Sequence, residues 1–520
     1  MGREASYYDP DKLAESFLTQ YYVFAPGEGC GREAREKADW KIRWWRGGFY
    51  DWHKGRYRPA DEAEMSVLVT GFLQELNKLT YMPPDPPIKI TQSLVRNVLL
   101  NVSGVEGVYL SDWRELNSWT DVDMAGGEKA GMITISFLNG LAMFGQHGEE
   151  PAFVEHTPKY FTLARLPYEY QQDADCPKWK AFLNDVMEGD SESIELLQQW
   201  AGYLLTSSAG PAATSALKYQ KFMLIAGEGG NGKTVFATIL EKTVGEENVS
   251  HIPLSSFGDR FALHATLGKM LNSTSESSHG INEACETMLK SYTSGDRMTF
   301  ERKFREPISC HPTAKVMIST NQLPSFTDKS NGIWRRMLFV PFDKTIPIDR
   351  QNPELVDELA KELPGIFNWA YEGLRKLTGA GPASPDSGLP RGEAEGQTSR
   401  GGRFIEPKRC KEAIGEYRRD TNPARVFLEE NYIEGFDFEG VPCGEVYQSY
   451  VAWCAQNGYH PLNANNFGKE VKRAFTGVAK EQRRQNGRRV WVYQGLVVKE
   501  DSEVATGILV VSVTDGTKGL

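Results

Sequence analysis

Residues 227–234 read Gly-Glu-Gly-Gly-Asn-Gly-Lys-Thr, set between the apolar run Phe222-Met223-Leu224-Ile225-Ala226 and a helix-compatible segment from Val235 to Lys242. Nothing else in the chain restricts its fold as tightly. Gly227, Gly229, Gly230 and Gly232 allow positive φ and let backbone N–H groups crowd around an anion. A buried strand must enter such a loop, and a helix must leave it with its N-terminal amides turned on the same anion. The pattern predicts a phosphate cradle in an α/β sheet, with Glu228 and Asn231 inside it. Lys233 is expected on the β and γ phosphates of ATP and Thr234 on a Mg²⁺ ion. The rival is a structural glycine turn.

A chain of 520 residues has room for about three domains. Its composition, 40% hydrophobic and 25% charged, is that of an ordinary globular protein. No run approaches the roughly 20 apolar residues that span a bilayer, and Met1-Gly2-Arg3-Glu4-Ala5 has no hydrophobic signal region, so a cytoplasmic protein without a membrane partner is expected. Cys30, Cys176, Cys285, Cys310, Cys410, Cys443 and Cys454 are scattered with no Cys-x-x-Cys pair, which reads as reduced thiols and not as a zinc module. The net charge of −10, from 59 basic and 69 acidic residues, does not advertise nucleic-acid binding. Any such role falls to local patches.

Along the chain, residues 1–210 mix short aromatic strands with helices. Trp44 to Trp52 looks like a hairpin, and Ala63 to Leu79 and Ile194 to Leu205 look like amphipathic helices. From 211 to 377 strand-like runs (Phe222 to Ala226, around Met270-Leu271, Lys315 to Thr320, Met337 to Phe342) alternate with helices, as in a nucleotide-binding sheet. Residues 378–402 are a linker by composition. Residues 403–500 alternate helices with a final strand pair, 488–493 and 495–498, and 501–520 form a tail with a β-like run at Ile508 to Val513.

Hydrolysis needs a carboxylate to orient water and a polar group to sense the γ phosphate. Glu276, ending the run after Gly268-Lys269, is the expected base and a second Mg²⁺ ligand, with a solvated loop glutamate as the alternative. Ser275 stands where a second acid is usual. Asn321 closes the strand 315–320 at the edge where ligands bind in open α/β sheets. It is the γ-phosphate or water contact, or else a turn-forming Asn before Pro324. Arg335 and Arg336 enter the next strand, and one of them, Arg336 preferred, would serve a neighbouring subunit's phosphates, unless both make surface ion pairs. Toward the C-terminus Lys469, Lys472, Arg473, Lys480, Arg483, Arg484, Arg488 and Arg489 outnumber Glu470 and Glu481, a basic stripe in an acidic protein. A helix from Asn466 to Phe475 and a β pair with its turn near Gln485-Asn486-Gly487 suit a winged-helix-like DNA-binding module. An RNA surface or a solvated helix are the alternatives.

The ordered set Gly-x4-Gly-Lys-Thr, Gly268-Lys269 to Glu276, Ser294-Gly295-Asp296, Asn321-Gln322-Leu323-Pro324 and Trp334-Arg335-Arg336 resembles helicase superfamily 3, in particular the poxvirus primase-helicase and phage and plasmid primase group. The likeness extends upstream through Asn139-Gly140-Leu141, His156-Thr157-Pro158 and Cys176-Pro177-x-Trp179. It implies an α/β, AAA+-like P-loop ATPase domain behind an α+β helicase-associated domain. It further implies a homo-oligomeric, hexameric ring that moves on single-stranded DNA and unwinds forks in replication. In such rings a hairpin points basic residues into the pore, which puts Arg302 and Lys303 on DNA with Phe304 nearby, the alternative being a solvated charged strand. Asp121 and Asp123 read as a loop, and His156 and Cys176 as structural. Priming is expected from a separate primase or polymerase. The competing functions are an AAA+ ATPase that loads or remodels a partner, and a DNA-binding regulator with a weak ATPase.

Overall fold

The computed structural model describes residues 9–24, 39–80, 87–112, 114–120, 132–145, 151–206, 219–276, 281–303, 305–324, 326, 331–379, 403–420, 422–435, 440–485 and 488–499. The expected linker, the Asp121/Asp123 loop, Phe304, the turn residues Asn486-Gly487 and the run 508–513 lie outside them. By its contacts the chain forms two units, Met1–Cys410 and Lys411–Leu520.

The first unit opens with α1 (Pro10–Tyr21), capped by Asp9, whose side chain accepts from the Asp11 N–H. A meander follows: β1 (Ile42–Trp45), β2 (Gly48–His53) and β3 (Arg56–Ala60). Both of its hairpins turn on two residues with positive φ, Arg46-Gly47 and Lys54-Gly55, the backbone that matches the twist of adjacent strands. Two helices, α2 (Glu62–Thr80) and α3 (Gln92–Gly104), come next, and β4 (Tyr109–Leu110) joins β1 in parallel to give the order β3-β2-β1-β4. The helices close on this sheet through Phe17, Leu18, Phe72, Leu73, Val98 and Val102, all buried. A second small sheet contains β5 (Ile133–Ser136), β6 (Leu141–Phe144) and β7 (Ala152–Val154), and leads to α4 (Pro177–Val186) and α5 (Ser191–Leu204).

The centre of the unit is a parallel sheet. Its strands are β8 (Phe222–Ala226), β9 (Val249–Ser250), β10 (Leu271–Glu276), β13 (Lys315–Thr320) and β14 (Met337–Pro341), in the order β9-β10-β13-β8-β14. Met223, Ile225, Met317 and Val340 are fully or almost fully buried, as expected of strands covered on both faces. Helix α6 (Lys233–Val244) crosses from β8 toward β9; α7 (Glu283–Ser294) and an antiparallel hairpin, β11 (Met298–Arg302) with β12 (Arg305–Cys310), lie between β10 and β13. Helix α8 (Leu363–Thr378) then packs on α5 at two glycines. A Cβ on Gly202 would stand 2.4 Å from the Leu374 nitrogen, and one on Gly373 would stand 2.1 Å from the Gln198 carbonyl. One continuous core takes Trp179, Leu197, Trp200, Ile225, Phe236, Val340 and Phe367 from both sides of residue 210.

The second unit holds, after the helix α9 (Lys408–Asp420) that carries the chain into it, α10 (Pro423–Asn431), β15 (Tyr432–Glu434), β16 (Val441–Pro442), α11 (Cys443–Gln456), α12 (Ala464–Ala474), β17 (Ala479–Gln485), β18 (Arg488–Gln494) and β19 (Leu496–Val498). Three strands pair in the order β16-β18-β17. The expected pairing of 488–493 with 495–498 does not form. Gly495, at φ 84°, turns the chain away from β18, and β19 instead pairs antiparallel with β15, burying Leu496 in the same core as Tyr432.

Candidate nucleotide site and nucleic-acid interface

The glycine-rich segment follows β8 and ends where α6 begins. Gly229, Gly230 and Gly232 have φ of 121°, 63° and 84°. Two of the glycines are also required by space. A Cβ on Gly227 would stand 2.0 Å from the Asn231 amide nitrogen, and one on Gly232 would stand 2.9 Å from Val186. Gly232 is the N-cap of α6 and supplies no capping side chain, so the first amides of the helix face the loop.

Lys233 is buried, and its ammonium donates to the Gly227 carbonyl at 2.6 Å and to Asn231 Oδ1 at 2.8 Å. Burial lowers its pKa from the ordinary lysine value. Asn231, itself buried, donates through Nδ2 to the Phe342 carbonyl at 2.7 Å. The segment after β14 fastens the loop further: the Phe342 N–H donates to the Ala226 carbonyl at 2.7 Å and the Ile346 N–H to the Gly230 carbonyl at 2.8 Å. Lys344 pairs with Asp185 of α4 at 2.7 Å. The acceptors that Lys233 uses are neutral, so phosphate oxygens would displace them at a gain in charge-assisted bonding. Thr234 is exposed at the start of the helix, and Glu228 is exposed in the loop.

Parallel register brings other candidates to the same edge. Ala226 and Glu276 are both register partners of Thr320, so the ends of β8, β10 and β13 are level, and Asn321 lies one residue beyond, exposed. By strand spacing Glu276 is two strands, about 10 Å, from the loop. The direction of the Glu276 side chain lies outside what the structure describes. Arg335 and Arg336 are not brought to this edge. Phe222 pairs with Met337 and Ala226 with Pro341, so both arginines sit at the opposite end of the sheet, about 15 Å away. Arg336 is buried there; its guanidinium donates to the Gly332 carbonyl at 2.9 Å and Ser294 Oγ at 2.8 Å, and burial lowers its pKa. Arg335 is exposed.

On the β11–β12 hairpin Lys303 is exposed, whereas Arg302 donates to two backbone carbonyls of its own chain, those of Glu306 and Arg46. In the second unit Gln482 pairs with Trp491 and Arg484 with Arg489 across β17 and β18, so these four side chains share one face. Trp491 is 50% exposed and Lys480 lies over its ring at 5.4 Å, a cation–π arrangement. Arg483 reaches Glu481 at 3.8 Å. The Arg488 side chain lies outside the described residues. On α12 Lys469 and Lys472 are exposed, while Arg473 neutralises the buried Glu470 at 2.6 Å. Arg46 and Trp491 were not singled out by sequence reasoning, and for Asn231 the glycine motif marked its place in the loop but not its bonds to Lys233 and Phe342. Arg46 carried a signal in its place before Gly47-Gly48.

Three family models match parts of the chain: D5 N terminal like over residues 135–188, a family of unknown function (DUF5906) over 225–336, and the RFX DNA-binding domain over 421–500. Among relatives, "Putative helicase L207/L206" of Acanthamoeba polyphaga mimivirus is 25% identical over 170 residues, 30% of this chain and 17% of its own length. Transcription factor RFX4 of Mus musculus is 32% identical over 84 residues, covering 16% of this chain and 11% of that protein. DNA-binding protein RFX7 of Xenopus laevis is 35% identical over 66 residues, covering 13% and 5%. The chain thus matches only a small part of each relative's length. Two solved structures of the NrS-1 C-terminal region align over 94% of this chain and 100% and 99% of theirs, at 13% and 12% identity. Their TM-scores, 0.49 and 0.47, are below the level at which a shared fold follows. The D5 N terminal like segment and the mimivirus relative connect the chain to primase-helicase-like proteins. The RFX match connects its second unit to a DNA-binding family. Among the described residues no helix is long and apolar enough to cross a membrane, and no cluster of metal-binding side chains occurs.

Proposed function

We propose that the chain is an ATP-dependent DNA helicase of the superfamily 3 type, an AAA+-like ATPase that works as a hexameric ring and unwinds forked DNA during replication of a phage, plasmid or other mobile element. The observation that carries this reading is the placement of Lys233 within bonding reach of its own loop, on the edge shared with Glu276 and Asn321, while Arg335 and Arg336 sit at the far end of the sheet. A γ phosphate at Lys233 would lie beyond their reach in one chain. An arginine contribution therefore has to come from a neighbour, and Arg335, exposed, is the better placed of the two.

Lys233 and the amides of 229–234 hold the phosphates and spread their charge. Thr234 and Glu276 would hold Mg²⁺, which supplies charge neutralisation on the phosphate oxygens. Glu276 takes the proton of the attacking water, and Asn321 orients that water or the γ phosphate. Lys303 on the hairpin contacts the strand in the pore. The second unit, a winged-helix-like module, engages duplex DNA through Arg484, Arg489, Trp491 and Lys480, with Arg483 and Arg488 on the same hairpin. Fork strand displacement with ATP, compared with its Lys233→Ala variant, tests the proposal; ATP consumption that leaves the fork intact refutes unwinding. The second reading, a DNA-bound regulator or partner-remodelling ATPase, is favoured by Ser275 in place of a second acid. It predicts that DNA binding survives in the Glu276→Gln variant while no substrate is unwound by either form.

A further inference from the structure

We infer that Arg302 is a positioning residue that latches the β11–β12 hairpin to the N-terminal sheet, and not a contact to DNA; this rests on the reading of the hairpin as the strand-handling element. The register of β11 and β12 shifts between Phe300 and Arg302, so that Arg302 pairs with Arg305. Such an irregularity re-aims the side chain that follows it. Arg302 is thereby turned inward along the hairpin. Its Nε and Nη2 donate to the Glu306 carbonyl at 2.9 and 2.6 Å, and Nη2 also reaches the Arg46 carbonyl at 3.4 Å. Two carbonyls from separate elements therefore share one planar fork, a geometry available to arginine and not to lysine.

The receiving carbonyl is itself held. Arg46 lies in the turn between β1 and β2 at φ 45°, a strained setting for a residue with a side chain. Its guanidinium lies over the Trp45 ring at 4.5 Å and donates to Glu115 Oε1 at 2.7 Å and the Asp112 carbonyl at 2.9 Å. Trp45 is bolted to the same segment by Nε1 donating to the Arg114 carbonyl at 2.8 Å. Stacking, ion pair and ring hydrogen bond together hold the turn in the conformation that aims its carbonyl at the hairpin. Movement of the hairpin with nucleotide state then requires one of two events. Either the contact to Arg46 opens, or the N-terminal sheet travels with the hairpin. In both cases residues 42–60 sense the hairpin's position, a coupling that a phosphate contact would not produce.

Arg302→Ala, Arg302→Lys and Lys303→Ala in the full chain separate the possibilities, using oligo-dT affinity as a function of salt and amide hydrogen exchange. A residue that neutralises a phosphate contributes about 0.7 to the slope of log affinity against log salt for a single strand. The expected result is an unchanged slope in both Arg302 variants with at least tenfold faster exchange across 298–310 and 46–48, and a slope lowered by about 0.7 in Lys303→Ala. A slope lowered in Arg302→Ala, or exchange equal to the unsubstituted chain, overturns the latch. A slope unchanged in Lys303→Ala instead counts against the hairpin as the DNA element, and the exchange result still judges the latch by itself.

Discussion

Asn231→Ala removes one side chain from the glycine-rich loop proposed to hold phosphate and leaves two buried groups one partner short each. The Phe342 carbonyl, on a fully buried residue, loses the donor at 2.7 Å, and the Lys233 ammonium loses one of two acceptors. A buried carbonyl left unsatisfied costs about 1–3 kcal/mol, and a bond to a charged donor is worth about 1.5–3 kcal/mol. Opening of β8 and α6 should therefore become easier by about 2.5–6 kcal/mol in the absence of nucleotide. With saturating Mg-ATP the ammonium takes phosphate oxygens instead, so its share of the loss disappears and about 1–3 kcal/mol remains. Linkage then requires ATP to bind the variant about tenfold to a hundredfold more tightly than the unsubstituted chain. Hydrogen exchange of the amides of 222–244 reads the first quantity, and calorimetric titration reads the second. A loss below about 1 kcal/mol, or one that is the same with and without ATP, refutes the claim that Asn231 holds Lys233 in readiness for an anion.

Glu276→Gln is expected to keep ATP binding and to lower turnover by about 10²–10⁴-fold, checked by single-turnover hydrolysis; turnover within a factor of three of the parent removes Glu276 from the chemistry. Arg335→Ala should lose about 10³-fold in rate while folding normally, and doping it into unsubstituted subunits should depress activity more steeply than its mole fraction. Arg336→Ala, by contrast, breaks the two partly buried bonds to Gly332 and Ser294 and should show itself as lower stability in urea unfolding. Lys315 is buried with Nζ 4.7 Å from the Tyr203 ring centroid, and burial pushes its pKa down to about 7. The unfolded chain keeps that proton up to the ordinary lysine value near 10.5, so between these limits it binds more protons than the folded one. Stability should therefore rise with pH from about 7 toward 10.5, and Lys315→Met should flatten the rise; parallel profiles of urea midpoint against pH for the two proteins would sink the assignment.

Much of the site was legible in the residues because it is local. A strand, four glycines, a lysine and a helix are consecutive from 222 to 244, and each demands its neighbour for steric or electrostatic reasons. The runs ending at Glu276 and Asn321 were legible as strands from their composition, and the hairpin at 44–52 from its glycine turn. Contacts across distant segments were not. Arg302 reads as one more cation in a basic run, and only the β-bulge and the nearby Arg46 carbonyl turn it inward. Arg335 and Arg336 are adjacent in the chain, yet one is exposed and the other buried against Ser294 of α7. The misread strand pair at 488–498 has the same origin, since β19 finds its partner in β15, more than sixty residues earlier.

What the amino-acid order determined alone was the glycine-rich loop between a strand and a helix: Gly229, Gly230 and Gly232 take positive φ without the steric cost that a side chain would bring, and the apolar run 222–226 before them is buried as a strand of the central sheet. What only the tertiary structure decided was which charged groups are spent inside the chain and which are left for ligands. Arg302 and Arg336 are held by backbone carbonyls and Ser294, and Arg473, itself exposed, is paired with the buried Glu470, whereas Arg335, Arg484 and Arg489 are exposed. A cation's availability depends on acceptors brought near it by packing, and no periodicity or spacing in the sequence records where those acceptors will stand.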